Sequence, residues 1–454
     1  MAALTSGQYL PPELIRVVFE HLPRQDLTTV RFVSRDCFVR KRSLPIDEAS
    51  VLDVLRRFRS VIPKLKHLKY LKWKELFYFD TPVVIDILRE FADRCPELNG
   101  LTVVCYTHRP GPHGPTTGDY LNEAFKFRNM KYLDVVYYEI NPNAVDNSPE
   151  SVPPRALVGM IEGSPNLVHL SLKYEACEVL WNIKSPLNSL RHLRLERDST
   201  TPEIDCPQLR HFVDFFKLHP SITDLELGYI NGIQTIGSSP PISDLLPSLK
   251  RFVGPGALCA EVVTSSIAAQ LESLIVQDEH NSFSSYIQSV HELAQVVKSL
   301  PKLEELHFFS RGATIWGVLN TGSLNMLLSA TPALVSLGIS CFSMKLEDLL
   351  DSLTHTPQLT RLAARISHHA YSPRSNSSQV EALADSIIFQ ISQTCGRLSE
   401  LRFPLINEKF QHENFAQESM FKVHYVNYVG GVTTISRDFA SRLSRLRNYP
   451  SAWR

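Results

Sequence analysis

From residue 63 onward one short pattern of apolar positions recurs, Pro-x-Leu-x-x-Leu-x-Leu. It stands as Pro96-x-Leu98-x-x-Leu101-x-Val103, Pro165-x-Leu167-x-x-Leu170-x-Leu172 and Pro220-x-Ile222-x-x-Leu225-x-Leu227. It returns as Pro301-x-Leu303-x-x-Leu306-x-Phe308, Pro332-x-Leu334-x-x-Leu337-x-Ile339 and Pro357-x-Leu359-x-x-Leu362. A copy begins at Leu249, and copies without the proline at Leu190, Leu271 and Leu398. Met130-x-x-Leu133-x-Val135 and Leu65-x-x-Leu68 fit less closely, the latter also reading in a Leu68/Leu71/Trp73 register. The Leu-x-Leu alternation predicts a short strand with two side chains inward and one outward. Between the copies, helical spacing predicts helices over 83–94, 208–219, 287–300, 346–355 and 380–394.

Starts fall roughly 22 to 39 residues apart, the range of repeat architectures. One repeat cannot bury its apolar face, so its neighbours supply the other wall. About a dozen such units in series resemble an irregular leucine-rich-repeat solenoid over 46–404, an α/β fold of stacked parallel strands and helices. The proline before each strand suits the stop after a helix.

Outward strand positions would form the recognition face of such an array. They include His169, Ser171, Lys173, His192, Arg194 and Glu196, then Asp224, Glu226, Glu305, His307 and Phe309, and finally Arg361, Arg365, Glu400 and Arg402. Glu196, Asp224 and Glu226 read as an acidic cluster, and Arg361, Arg365 and Arg402 as a basic one. Two readings stay open: a solvated charged surface, or an electrostatically divided face that orients a protein partner. The candidate substrate-binding residues are His192, Arg194, Glu196, Asp224, Glu226, His307, Phe309, Arg361, Arg365 and Arg402. Loop-like segments at 106–120, 141–155, 197–206, 229–247, 310–322 and 367–379 mostly follow a strand and precede a helix. That order puts them on one rim, by function or by neutral drift.

The first 45 residues follow another pattern. Pro11 and Pro12 fix φ at a helix entrance, and Leu14, Ile15, Val18, Phe19 and Leu22 follow at helical spacing. Asp26 suits the N-cap of a second helix carrying Leu27 and Val30, and Ser34 that of a third. Units below ~40 residues rarely fold alone, so this one docks on a partner or on the following repeats. Leu10-Pro11-x-Glu13-Leu14-Ile15, Leu22-Pro23-x-x-Asp26-Leu27 and Arg31-x-Val33-Ser34-Arg35 resemble an F-box, here a small all-α unit over 1–45. Where many F-boxes place tryptophan after the Val-Ser-Arg step, this chain has Phe38 as the replacement. The resemblance implies that Leu10, Pro11, Leu14, Ile15, Leu22, Leu27 and Val33 bind the Skp-type adaptor of cullin–RING ubiquitin ligases. The array's irregularity resembles repeats that follow F-boxes in many fungal proteins. Together they imply a substrate receptor of an SCF-type ligase; a repeat scaffold outside ubiquitin transfer is the alternative.

Composition changes this picture little. The 454 residues are 43% hydrophobic, enough for a sizeable core, and charges balance at 47 each. Balance gives no reason to expect a nucleic-acid or membrane partner. No basic-then-apolar leader and no stretch of ~18 apolar residues is read. Eight scattered cysteines without CxxC pairs suit reduced thiols in cytosol or nucleus. Cys95 and Cys395 read as small buried hydrophobes. His291-Glu292 begins like HExxH, but Gln295 takes the second ligand's place. No Walker loop, GxGxxG or GxSxG occurs, and His368-His369 lacks a carboxylate or thiol nearby in sequence, so no metal, cofactor or catalytic set is assigned. Residues 405–454 break the repeat and read as a cap or tail. There Arg437, Arg442, Arg445 and Arg447 alternate with Phe439, Leu443 and Leu446 as a basic amphipathic helix.

Overall fold

One backbone hydrogen bond fixes the entry to most of the described repeat strands. The amide of the signature's first leucine donates three residues back: Leu98 to Cys95 (3.0 Å), Leu167 to Ser164 (3.0 Å), Leu303 to Leu300 (3.2 Å), Leu334 to Thr331 (3.1 Å) and Leu398 to Cys395 (3.0 Å). Pro96, Pro165, Pro301 and Pro332 hold the second position of this turn, where a fixed φ is favourable and no N–H is needed. The turn's first residue is buried. When it is polar its hydroxyl turns back to the preceding helix, as Ser164 does to the Met160 carbonyl (2.8 Å) and Thr331 to that of Leu327 (3.1 Å). When it is cysteine, burial pushes the thiol up to about 11, as at Cys95 and Cys395.

This computed structural model describes residues 29–31, 59–60, 62–75, 82–108, 125–140, 155–196, 206–228, 240–278, 283–310, 317–318, 320–368, 377–407 and 423–438. They belong to two compact units, Met1–Asp198 with Cys206–Ser221, and Ser199–Asp205 with Ile222–Arg454. In the first unit β1 (Thr29–Arg31), β2 (Tyr70–Glu75), β3 (Gly100–His108), β4 (Tyr132–Ile140), β5 (His169–Tyr174) and β6 (His192–Glu196) pair in that order, all parallel. Helices α1 (Pro82–Arg94), α2 (Arg155–Glu162) and α3 (Cys206–Leu218) and a 3-10 helix (Glu175–Asn182) accompany them. The inward leucines align in one row, Leu71, Leu101, Leu133, Leu170 and Leu193, none more than 2% exposed.

The second unit contains β7 (Asp224–Gly228), β8 (Arg251–Pro255), β9 (Ser273–Asp278), β10 (Glu305–Ser310), β11 (Gly317–Val318), β12 (Ser336–Lys345), β13 (Arg361–His368) and β14 (Glu400–Asn407). They are parallel in the order β7-β8-β9-β10-β12-β13-β14, with β11 beside the end of β12. The inward row continues the rule: Leu225, Phe252, Leu274, Leu306, Leu337, Leu362 and Leu401. Helices α4 (Ile242–Leu245), α5 (Gly256–Thr264), α6 (Phe283–Val296), α7 (Thr321–Ser329), α8 (Leu346–Leu353) and α9 (Ser377–Thr394) alternate with the strands, and consecutive members from α5 to α9 pack side by side. The helices predicted over 83–94, 208–219, 346–355 and 380–394 each occur within a few residues of those bounds, and the one over 287–300 lies within four.

Three differences follow from pairing that periodicity does not carry. Thr29–Arg31, expected in a helix begun by Asp26, is a strand beside Tyr70–Lys72; Thr29 and Val30 are β-branched and suit a sheet edge. The other residues of the F-box-like unit, including Leu10, Pro11, Leu14, Ile15, Leu22, Leu27 and Val33, lie outside the described residues. At the far end β14 crosses the expected boundary at 404 and pairs antiparallel with β15 (Val423–Val429), which returns as β16 (Val432–Asp438). Gly430 and Gly431 make this hairpin possible, with φ of 57° and 88°, the left-handed values that a two-residue I′ turn demands. Arg437 therefore sits in a strand; the remainder of the expected basic helix lies outside the described residues.

Leu170→Ala and Leu306→Ala, each deleting a fully buried member of the inward row, should cost about 2–5 kcal/mol. Phe389→Ala on α9, where the ring is 64% exposed, should stay within about 0.5 kcal/mol. Urea midpoints compare them; equal midpoints for the buried and exposed variants would remove the row from its structural role.

Candidate functional site

The face opposite the inward leucines carries the polar chemistry. In the first unit its strand-first positions align as Tyr70, Gly100, Tyr132, His169 and His192. Gly100 has no side chain because Tyr70 lies over it; a Cβ there would come within 2.4 Å of the ring. Four half-buried rings therefore run across five strands. Tyr70 meets Tyr132 edge-on at 5.5 Å, Tyr132 stacks on His169 at 4.3 Å and 9°, and His169 lies 5.9 Å from His192. The Tyr70 hydroxyl is 2.5 Å from Thr102 Oγ1 and also bonds the Tyr132 hydroxyl. Burial first, then the Asp134 charge, pushes the Tyr132 phenol well above its ordinary range.

The next row is Lys72, Thr102, Asp134, Ser171 and Arg194, and beyond it lie Val104, Val136, Lys173 and Glu196. Glu196 is held by Arg194 at 3.0 Å and faces Lys173 at 4.0 Å. Asp134 has no such partner: its Oδ1, like the Ser171 hydroxyl, is sealed from solvent and makes no hydrogen bond.

In the second unit opposite charges interleave rather than segregate. Asp224 stands across from Arg251, and Arg361 across from Glu400. Arg402 forms an ion pair with Glu400. The basic residues of the last repeats are thus interrupted by a carboxylate. Glu196 belongs to the first unit, and Asp224 and Glu226 to the second. Glu226, Phe309, Arg361 and Arg402 are half-buried.

Two candidates read as surface residues are buried, His307 at 4% and Arg365 at 3% exposure. Alternation tells which face a side chain takes, not how crowded that face is. The His307 ring lies over Gly338, where a Cβ would come within 2.1 Å of Nδ1. Its Nε2 is 3.1 Å from Ser336 Oγ and 3.3 Å from Glu305 Oε1. Arg365 lies opposite Ser343, where the register of β12 shifts after Ile339.

Serine, histidine and glutamate meet here, but not as a nucleophile with its base. A relay needs the carboxylate on one ring nitrogen and the hydroxyl on the other; both lie at Nε2, and Ser336 is 1% exposed. His291 instead bonds Ser323 (2.8 Å) and Gln295 (2.8 Å), so the residue replacing the second HExxH ligand is itself the partner. Among the described residues no three His, Cys, Asp or Glu side chains group as metal ligands. No described helix is long and apolar enough to cross a membrane.

Sequence reading named His192, Arg194 and Glu196 but passed over Tyr70, Tyr132 and Asp134. The signal was present: Tyr70-Leu71, Tyr132-Leu133, His169-Leu170 and His192-Leu193 each place a ring immediately before the middle inward leucine.

Residues 8–38 match the family model of the F-box domain. No curated protein matches the chain. Among solved structures the chain is similar to one described as the Rad7 and Elc1 complex in yeast, at 12% identity over 76% of this chain and 71% of that one, with a TM-score of 0.40. It is also similar to a Bacteroides fragilis protein, at 14% identity over 66% and 73%, with a TM-score of 0.35.

The Glu305 network sets a pH dependence. Burial alone would raise this carboxyl, but hydrogen bonds from His307 and from Ser273 (2.6 Å), with the charges of His307 and Arg251, hold it at about 2 rather than 4.5. A depressed carboxyl stabilises the fold above its unfolded value and loses that contribution as pH falls through the folded value. The shift corresponds to about 3 kcal/mol at most. Wild-type unfolding free energy should therefore fall from about pH 5 toward pH 2, and Glu305→Gln should flatten that fall. Urea titrations across this range measure it, and superimposable slopes would exclude the network as its source.

Proposed function

We propose that this chain is a substrate-recognition adaptor of an SCF-type cullin–RING ubiquitin ligase. The observation that carries the reading is the F-box match over residues 8–38. Leu10, Pro11, Leu14, Ile15, Leu22, Leu27 and Val33 would hold the Skp-type subunit. The repeats would act as an irregular leucine-rich solenoid that captures a substrate protein, in cytosol or nucleus. Such a chain needs no chemistry of its own, because holding a substrate beside a charged ubiquitin carrier replaces a bimolecular encounter by an intramolecular one. Parallel strands with a charged and aromatic outer face suit that task.

One observation favours a second reading, a repeat scaffold outside ubiquitin transfer. Thr29–Arg31, inside the F-box match, pairs with the first repeat strand. A segment built into the sheet edge would close the array instead of docking.

Co-purification of the full chain with a Skp-type adaptor separates them. Wild type should retain the adaptor, and Leu14→Ala/Leu22→Ala should weaken capture by about thirty-fold or more, as for buried apolar anchors at about 2 kcal/mol. Circular dichroism checks that the variant stays folded. A folded wild type that retains no adaptor would sink the ligase reading.

A further inference from the structure

On the outer face of the first unit, the unmet chemistry is concentrated at one place. Tyr70, Tyr132 and Thr102 satisfy one another through their hydroxyls. Glu196 has two cations. Among the acceptors of this face Asp134 is left, with Ser171 paired beside it across β4 and β5. Ser171 is 2% exposed, yet its hydroxyl bonds nothing, and one carboxylate oxygen of Asp134 is equally sealed and unbonded. A desolvated acceptor without a donor is costly, about 1–3 kcal/mol and more when charged. Asp134 itself keeps partial exposure, so an incoming donor can reach its other carboxylate oxygen.

We propose that this face captures one basic side chain of an extended protein segment, with Asp134 receiving the charge. The proposal rests on the substrate-receptor reading and names the chemistry its first unit recognises. Three features define the fit. Asp134 offers a carboxylate whose charge no neighbour neutralises by contact. The Tyr132–His169 stack beside it supplies aromatic surface for a guanidinium or ammonium. Val104 and Val136, 7% and 8% exposed at outward positions, give the methylene stem of that side chain an apolar bed.

The surrounding charges limit the partner further. Lys72 is exposed on β2, two strands from Asp134, and Arg194 lies two strands away on the other side. At ~4.8 Å per strand each stands about 10 Å off, one Debye length at 0.1 M salt. They leave contact at Asp134 favourable but repel a run of basic residues. The fitting segment therefore carries a single Arg or Lys among neutral or acidic neighbours. A nucleic acid strand, which would also use the rings, is opposed by Asp134 at the centre of the row.

Short synthetic peptides with one central Arg, Lys, Gln or Glu between Leu, Ser and Glu residues test this by fluorescence anisotropy on the full chain. Arg and Lys peptides should bind about ten-fold tighter than the Gln peptide, the worth of one charged hydrogen bond. Asp134→Asn, equal in shape, should abolish that preference without moving the urea midpoint downward. Tyr132→Leu should weaken Arg and Lys peptides more than the Gln peptide. Equal binding of Arg and Gln peptides would overturn the proposal without recourse to any variant. So would an unchanged preference in Asp134→Asn, or binding of single-stranded oligothymidylate in place of the basic peptides. Skp-type capture by the same preparations is read separately: its loss with the Arg preference intact removes the ligase reading and leaves this site standing.

Discussion

Everything in the described fold depends on the inward leucine of each strand having no partner inside its own repeat. Leu170 is covered because Leu133 and Leu193 flank it, and Leu306 because Leu274 and Leu337 do. The backbone enforces the same dependence. The first amides of a strand reach the carbonyl of the preceding repeat, as Val168 and His169 reach Lys131, and Val335 and Ser336 reach Glu304. Burial and hydrogen bonding therefore act between neighbours, which makes stability a sum over adjacent pairs. The entry turn keeps the spacing, and where its buried first residue is Ser or Thr the hydroxyl closes the helix before it.

A fold assembled this way has a distinct inner and outer chemistry. The inner face tolerates little besides Leu, Ile, Val and Phe, since each position touches two repeats. The outer face has no such constraint and carries opposed charges in the second unit, rings and mixed charges in the first. In the second unit the half-buried Glu305 and the buried His307, Ser273 and Ser336 satisfy each other. That network leaves its side chains paired with one another. In the first unit the hydroxyls of Tyr70 and Thr102 close on each other, while Ser171 and Asp134 stay open. The difference between a structural and a recognising polar cluster lies in this remainder, not in the residue types.

How much of this was legible follows from what periodicity encodes. Pro165, Leu167, Leu170 and Leu172 announce a turn and a strand because their chemistry is local. α1, α8 and α9 follow from apolar spacing of the same kind. The outward direction of His307 and Arg365 was legible too, but their burial was not. It depends on Gly338 yielding space to a neighbouring ring, and on a register shift between Ile339 and Ser343. The ring row was written in the sequence one position before each middle leucine, but it becomes a row only when five strands align. The hairpin of β15 and β16 was hidden because Gly430-Gly431 signals a turn only to a reader who has stopped expecting repeats.

Sheets in which each strand needs a neighbour leave a problem at their edges, where unpaired N–H and C=O groups invite other strands. At the C-terminal end the chain changes direction: β15 and β16 pair antiparallel, and Val426 packs against the last repeat at 1% exposure. At the other end the neighbour of β2 comes from Thr29–Arg31, within the very segment that matches an F-box. The same few residues thus face two demands, pairing at a sheet edge and, under the proposed reading, belonging to a unit that docks. β-branched Thr29 and Val30 serve the first; the apolar residues around them, Leu22, Leu27 and Val33, suit the second. The edge bonds use the backbone of Thr29–Arg31, so whether this segment closes the sheet or docks is the choice between the adaptor and the scaffold readings.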